Sequence, residues 1–374
     1  MQREILKKHL KKIGKFKIYR MAEKKYNEIQ YLDRNESQYG PSPKCYEYLK
    51  HATIDDLSWY SRDFAKGVKS SLSKRIANDF NIDERQVILS YGSEDLLKQI
   101  IHYYLDRKEK ILIPKEAWWY YKKVAYEVGG FNVEYPMYIG EKDGLKTYMY
   151  DVDRMIEIYT RERPRIVLIA SPNNPTGNRI PKEELRRFLD ACRGAIVMID
   201  EAYWGFGSTE NDYVKEYIDE FPNLVICRTF SKYYALAGAR IGFAFAGKNL
   251  EELINFSVRY LGYNKMSEKL GEIALDDSEY YERVTKLMQE DKEYFYKEFN
   301  AMEGFTAYKS YANFMLVDMP QHIRKDLDKY LKERNMLIKF LNEEAFKTET
   351  RITLGTREQN YHLMECIKDF LNGK

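Results

Sequence analysis

Short apolar runs alternate along this chain with segments of helical period, and the alternation predicts its architecture. "RIVLIASPNNPTG", "AIVMIDEAYWGF" and "NLVICRTFSK" are β-rich apolar runs, each followed by polar or glycine-containing residues. Helical segments such as "PKEELRRFLDACRG" lie between them. Upstream, residues 67–82 have helical periodicity, and "QVILSYGSEDLLKQIIHYYL" runs from a strand through a Gly-Ser turn into a helix. "KILIPK" is a strand, a helix is expected from about Trp118 to Val128 before Gly129-Gly130, and "FNVEYP" is a further strand. Strands alternating with helices predict an α/β domain whose mostly parallel sheet is covered on both faces. Such sheets carry ligands at the carboxyl ends of their strands, so the polar residues just beyond each run are where chemistry is expected.

Past about residue 265 the pattern changes. A long charged helix over about 278–302 precedes "FTAYKSYANFMLVDM", a helix, "MLIKFL", "TRITLG" and a final helix. This predicts a smaller α+β domain. The expected division is an N-terminal arm and part of the small domain over 1–40, a large domain over 41–265 and a small domain over 266–374.

Composition narrows the class. A chain of 374 residues, 44% hydrophobic and 32% charged, reads as soluble and globular with two lobes. The net charge of +3 implies no nucleic-acid footprint. No apolar run is long enough to span a bilayer. The basic start "MQREILKKHLKKIGKFKIYR" lacks the apolar stretch and cleavage site of a secretory signal. Residues 3–13 read as a short basic helix, a solvated arm or a subunit contact. Cys45, Cys192, Cys227 and Cys366 show no CxxC spacing and are expected to be reduced thiols in a cytoplasmic protein. His9, His51, His102, His322 and His362 lack metal-ligand spacing, so no metal is expected.

The strand ends hold the candidate chemistry. "RTFSKYYALAGARIGFAFA" places Lys232 between Ser231 and Tyr233, just before a run that looks buried. A solvated lysine needs no such setting, whereas a reactive one must shed its proton near neutral pH. Ser93 and Glu94 open a helix after Tyr91-Gly92, and Arg240 follows Ser231 closely; free N–H groups at a helix start and an arginine beside a hydroxyl both suit a phosphate. A buried Asp200 suits a protonated ring nitrogen. Asn174 and Tyr203 can both donate to a phenolate-like oxygen. Lysine completes a Schiff base with an aldehyde. Taken singly, Asp200 also reads as a helix cap, Asn174 with Gly177 as a turn, and Arg240 as a structural ion-pair member. Together the groups describe one planar molecule, pyridoxal 5′-phosphate (PLP).

"SPNNPTG", "IDEAY" and "RTFSKYYALAGARIGF", in this order and spacing, resemble the fold-type I PLP-dependent aminotransferases. Within them the sequence is most similar to the histidinol-phosphate aminotransferases. "LDRNESQYGPSP" resembles that family's amino-terminal signature, "YGSEDLL" its phosphate-binding turn and "RITLGTREQN" its carboxyl-terminal signature. The resemblance implies that Lys232 binds PLP covalently and moves the α-proton, that Asp200 holds the ring nitrogen protonated, and that Asn174 and Tyr203 bind the ring oxygen. Ser93, Glu94, Ser231 and Arg240, with Thr229, would grip the phosphate, and Trp118 would stack on the ring. Tyr60 matches a tyrosine that reaches the neighbouring subunit's phosphate, which implies a homodimer. Arg351 matches the arginine for the substrate α-carboxylate, with Asn35 an expected substrate contact beside it and Asn313 nearby.

The expected reaction moves an amino group between glutamate or 2-oxoglutarate and a small amino or keto substrate, phosphorylated or otherwise anionic. Lys339 stands where the family carries a phosphate-binding arginine, and "NESQ" replaces its usual Asn-Pro. The alternative is a PLP-dependent decarboxylase of a phosphorylated amino acid, which would share the cofactor cradle. A PLP-sensing regulator would need an attached DNA-binding domain, for which the first 30 residues are too short.

Overall fold

In the computed structural model, residues 28–207 and 213–373 are described. The basic segment 3–13 and His9 lie outside them. Seven strands form the main sheet: β2 (Val87–Ser90), β3 (Lys110–Pro114), β4 (Phe131–Tyr135), β7 (Ile166–Ala170), β8 (Ile196–Asp200), β9 (Leu224–Thr229) and β10 (Gly242–Ala246). Their order is β2-β10-β9-β8-β7-β3-β4, and only β10 runs antiparallel to its neighbours.

β7, β8, β9 and β10 are buried at every position, which explains their apolar runs, broken only at the carboxyl ends of β8 and β9 by Asp200, Arg228 and Thr229. Alternate residues enter opposite cores: Val167, Ile169, Val197, Ile199 and Ile226 face one side, and Ile166, Leu168, Met198 and Val225 the other. The second core is closed by the helix Ser93–Tyr104, whose Leu96, Leu97, Ile100 and Ile101 share one apolar face.

A five-stranded sheet builds the rest, in the order β1-β13-β14-β12-β11. It comprises β1 (Gln30–Leu32), β11 (Thr306–Ala307), β12 (Phe314–Asp318), β13 (Met336–Phe340) and β14 (Glu349–Thr353). β1 pairs in parallel with β13, so a strand near the start of the described residues joins the sheet that the last third of the chain completes. The helices Ser278–Asn300 and Arg357–Leu371 pack together, tied by Arg357 to Asp291 at 2.8 Å.

Two local differences from the sequence reading stand out. The helix expected from Trp118 starts at Tyr121, runs to Val124 and continues as a 3₁₀ turn to Val128, because Trp118, Trp119 and Tyr120 pack on one another in a turn instead. The structure also adds a hairpin of β5 (Met137–Lys142) and β6 (Leu145–Tyr150). Its Asp143-Gly144 turn has positive φ at both residues, which is the hairpin signal that Asp-Gly carries in a sequence.

Candidate active site

The register of the main sheet explains why distant segments meet. β8 and β9 are parallel, so Asp200 and Thr229, the last residue of each, lie at one edge. β10 is antiparallel, and its first residue, Gly242, returns to that edge beside Thr229 and Ser90. Arg240 and Gly92, two residues from these partners, therefore become neighbours. A Cβ at Gly92 would come within 2.7 Å of the Arg240 guanidinium, and the φ of 94° there also favours glycine.

One end of the site is thus an anion cradle. The Thr229 hydroxyl bonds Ser231 Oγ at 3.0 Å, and Ser231 Oγ lies 3.5 Å from Arg240 Nη1. Arg240 is held by the carbonyls of Ala237 and Tyr91, each at 3.2 Å. The helix Ser93–Tyr104 begins here, so Ser93 and Glu94 supply first-turn N–H groups and the positive end of a helix dipole.

Asp200 sits deeper, 5% exposed. Tyr121 donates to its Oδ2 at 2.7 Å and the Ala202 N–H to its Oδ1 at 2.9 Å. Burial pushes its carboxyl up, against the pull of those two bonds. Among the described residues no lysine or arginine forms an ion pair with it. Trp118 is half-buried with its ring 5.6 Å from that of Tyr121, edge to face.

Lys232 lies between these parts. Its Nζ donates to the Arg34 carbonyl at 3.0 Å. Burial lowers its pKa to about 8, the charges of Arg351 and Arg240 assist, and Glu36 opposes. The amine therefore sheds its proton far more readily than an ordinary lysine.

The other end joins the two sheets. From β14, Arg351 donates through Nη1 to Asn174 Oδ1 at 2.6 Å and through Nη2 to the Asp33 carbonyl. Its Nε is buried without a partner. Asn35, expected to touch substrate, is 1% exposed and placed as a brace. Its Nδ2 donates to the Tyr203 hydroxyl at 2.8 Å, Thr353 donates to its Oδ1 at 3.1 Å, and Asn313 donates to its carbonyl at 3.0 Å. Lys339 is exposed and lies directly across from Arg351 in the β13–β14 register.

This donor set fits PLP. Asn174 has its oxygen occupied by Arg351, and Tyr203 accepts from Asn35; both are left with N–H or O–H groups to donate to one ring oxygen. The buried, raised Asp200 matches a protonated ring nitrogen, and the cradle at Arg240 matches a phosphate.

Sequence reasoning missed Tyr121, the backbone carbonyls of Asp33 and Arg34, and Thr353. Nothing in the aromatic run "WWYY" distinguishes Tyr121, because its role depends on Asp200 arriving from another strand. Tyr60 is apart from the cluster: it is 70% exposed, in a cleft of about 420 Å³ shared with Trp59, Lys265 and Glu268. Among the described residues no group of His, Cys, Asp or Glu has the arrangement of a metal site.

The family model described as aminotransferase class I and II matches residues 34–367. A histidinol-phosphate aminotransferase 2 of Carboxydothermus hydrogenoformans is 31% identical, over 91% of this chain and 90% of that protein. Among solved structures, the histidinol-phosphate aminotransferase of Sinorhizobium meliloti in complex with pyridoxal 5′-phosphate aligns with a TM-score of 0.79 at 21% identity, covering 92% of each chain. The L-threonine-O-3-phosphate decarboxylase of Porphyromonas gingivalis aligns at 0.75 and 20% identity, over 91% of this chain and 99% of that one. At such identities the two structures speak for the fold alone.

Proposed function

The chain belongs to the class I and II aminotransferase family, and from that premise we propose how its residues divide the work of a PLP-dependent amino-group transfer. Glutamate and 2-oxoglutarate form one substrate pair; the other is a small amino compound and its keto counterpart, of the anionic or phosphorylated kind named by the 31%-identical relative. The observation that carries this reading is that the Lys232 amine and the Arg351 guanidinium bond successive carbonyls, those of Arg34 and Asp33, which sets an amine beside a group able to hold a carboxylate.

PLP, when bound, supplies an aldehyde that takes the amino group and a ring that accepts electrons from the substrate's α-carbon. Arg351 holds the α-carboxylate in both half-reactions and so fixes which α-bond faces Lys232. Lys232, once its Nζ is neutral, would take the α-proton and deliver it to the cofactor's aldehyde-derived carbon on the other side of the nitrogen. Asp200 keeps a proton on the ring nitrogen, and Tyr121 and the Ala202 N–H hold its carboxylate in place. Asn174 and Tyr203 orient the ring oxygen, while Thr229, Ser231, Arg240 and the helix start at Ser93 and Glu94 anchor the phosphate. Trp118 covers the ring face.

The division into 1–40, 41–265 and 266–374 places the cofactor groups in the large domain and Arg351 and Lys339 in the small one. The exposed Ile54, Leu57, Trp59 and Tyr60 support a homodimer, with a second copy covering this patch and Tyr60 reaching the partner's phosphate. Four buried, unpaired thiols support a reducing, cytoplasmic setting.

The test is a single half-reaction. Glutamate added to the PLP-loaded protein is expected to convert the cofactor to its amine form, seen as loss of yellow colour, and 2-oxoglutarate to restore it. Retained colour, with carbon dioxide released from a phosphorylated amino acid, would replace this reading with a decarboxylase.

A further inference from the structure

A cleft of about 580 Å³ opens between the β5–β6 hairpin and the starts of two helices, Val152–Glu162 and Lys182–Ala191. None of Lys232, Asp200, Arg240 and Arg351 lines it, and its size suits a small metabolite. Three cations converge there on one ring, that of Tyr311 from the loop between β11 and β12. The Arg179 guanidinium lies 4.4 Å from the ring centroid, and the Lys142 and Lys309 amines 5.8 Å each. Lys309 is paired with Asp143. Lys142 and Arg179 line the cleft, are exposed, and form no ion pair among the described residues.

The carboxylates of the cleft are engaged elsewhere. Arg187 takes Glu184 at 2.7 Å and Asp153 as well, while Asp151 accepts the Arg154 N–H at 3.0 Å as a helix cap. The helix Lys182–Ala191 adds to the positive end. Its N-cap is Pro181, which lines the cleft and has no polar side chain for the first N–H groups. Of the two acidic residues in its first turn, Glu184 is held by Arg187 and Glu183 lies outside the lining. Asn178 lines the cleft too, only 1% exposed. Its oxygen accepts from Thr176 at 2.5 Å, but its Nδ2 has no acceptor except the Met137 thioether at 3.3 Å, a weak one. A buried amide with an underused donor, free helix N–H groups and two unpaired cations all call for an acceptor carrying negative charge.

We propose that this cleft is a second ligand site, separate from the transamination site, for a small polyanion of phosphate or carboxylate type. Arg179 grips it two-pronged, Lys142 adds a point charge, and Asn178 donates from the wall. The Tyr311 N–H donates to the Gly177 carbonyl at 2.7 Å, so the ligand sits where the five-stranded sheet's loop touches the turn that carries Asn174.

The experiment titrates the PLP-loaded full-length protein with inorganic pyrophosphate and, separately, with citrate, at constant ionic strength, reading the heat of binding. PLP fills the Arg240 cradle throughout, so that cradle does not compete. At least one probe is expected to bind saturably, one per chain, and which one binds identifies phosphate or carboxylate as the group recognised. Arg179→Gln should weaken that binding about tenfold and Lys142→Gln a few-fold, with PLP content and circular dichroism unchanged. Arg351→Ala should leave it intact. Absence of saturable binding by both probes overturns the inference. So does binding that survives Arg179→Gln combined with Lys142→Gln, or that is lost in Arg351→Ala instead, because the anion would then sit elsewhere. Neither result bears on transamination, which is read from glutamate alone.

Discussion

The two ends of the site each rest on an arginine, and they are built differently. Arg240 has a φ of 52° and sits in a connection between adjacent strands, within eleven residues of Thr229. Its partners Ala237, Ser231 and Tyr91 all belong to one edge of one sheet. Arg351 comes from the other sheet and reaches Asn174, 177 residues away in the chain. The first end is thus carried by one sheet, whereas the second exists only while the two sheets keep their relation. In the proposed assignment the cofactor is held by the first and the substrate carboxylate by the second.

Removing the group between the two ends should have the largest effect. Lys232→Ala is expected to lose the yellow colour of bound PLP and at least about 10⁴-fold in turnover, with the circular dichroism of the fold unchanged. A fully active variant would sink the whole assignment. Next, Arg351→Ala should raise the KM for glutamate roughly 100-fold while PLP affinity moves less than about threefold, as expected for loss of a charge-assisted, two-pronged contact. Arg240→Ala should do the reverse, weakening PLP about 30-fold with little change in the glutamate KM of the saturated enzyme. Equal losses of both affinities in either variant would mean that the two ends are not separable.

A pH series sharpens the comparison at smaller amplitude. The amine of Lys232 is held to a pKa of about 8, well below the ordinary lysine value, chiefly by burial. Only the neutral form attacks, so the rate of PLP capture by cofactor-free protein should rise roughly fivefold from pH 7 to 8 and level off above. The same depression sets the sign for stability. Between about pH 8 and the ordinary lysine value the unfolded chain holds more protons, so the cofactor-free protein should gain stability as pH rises through that window. A capture rate still climbing at pH 10 would show that Lys232 is an ordinary lysine.

Much of this was legible in the chain itself. Short apolar runs at 166–170, 196–199 and 224–227 read as strands buried on both faces, and a parallel sheet brings the residues at and just beyond their carboxyl ends to one edge. Asp200, Thr229, Ser231 and Lys232 are read that way because each lies within a few residues of its strand end. Short-range order also specified the helix at Ser93, through a glycine followed by an apolar stripe.

Tertiary structure alone decided the rest. The antiparallel course of β10 brings Arg240 back to Gly92, and no local pattern distinguishes it from a parallel strand. Tyr121 gains its role only because Asp200 lies across from it. Asn35 is turned from a candidate substrate contact into a brace for Tyr203 because Thr353 and Asn313, more than 270 residues distant, close around it. Hydrophobic periodicity reports which face of an element is buried. It carries no information about which buried polar atoms will meet, since those meetings are set by strand order and register across the whole chain.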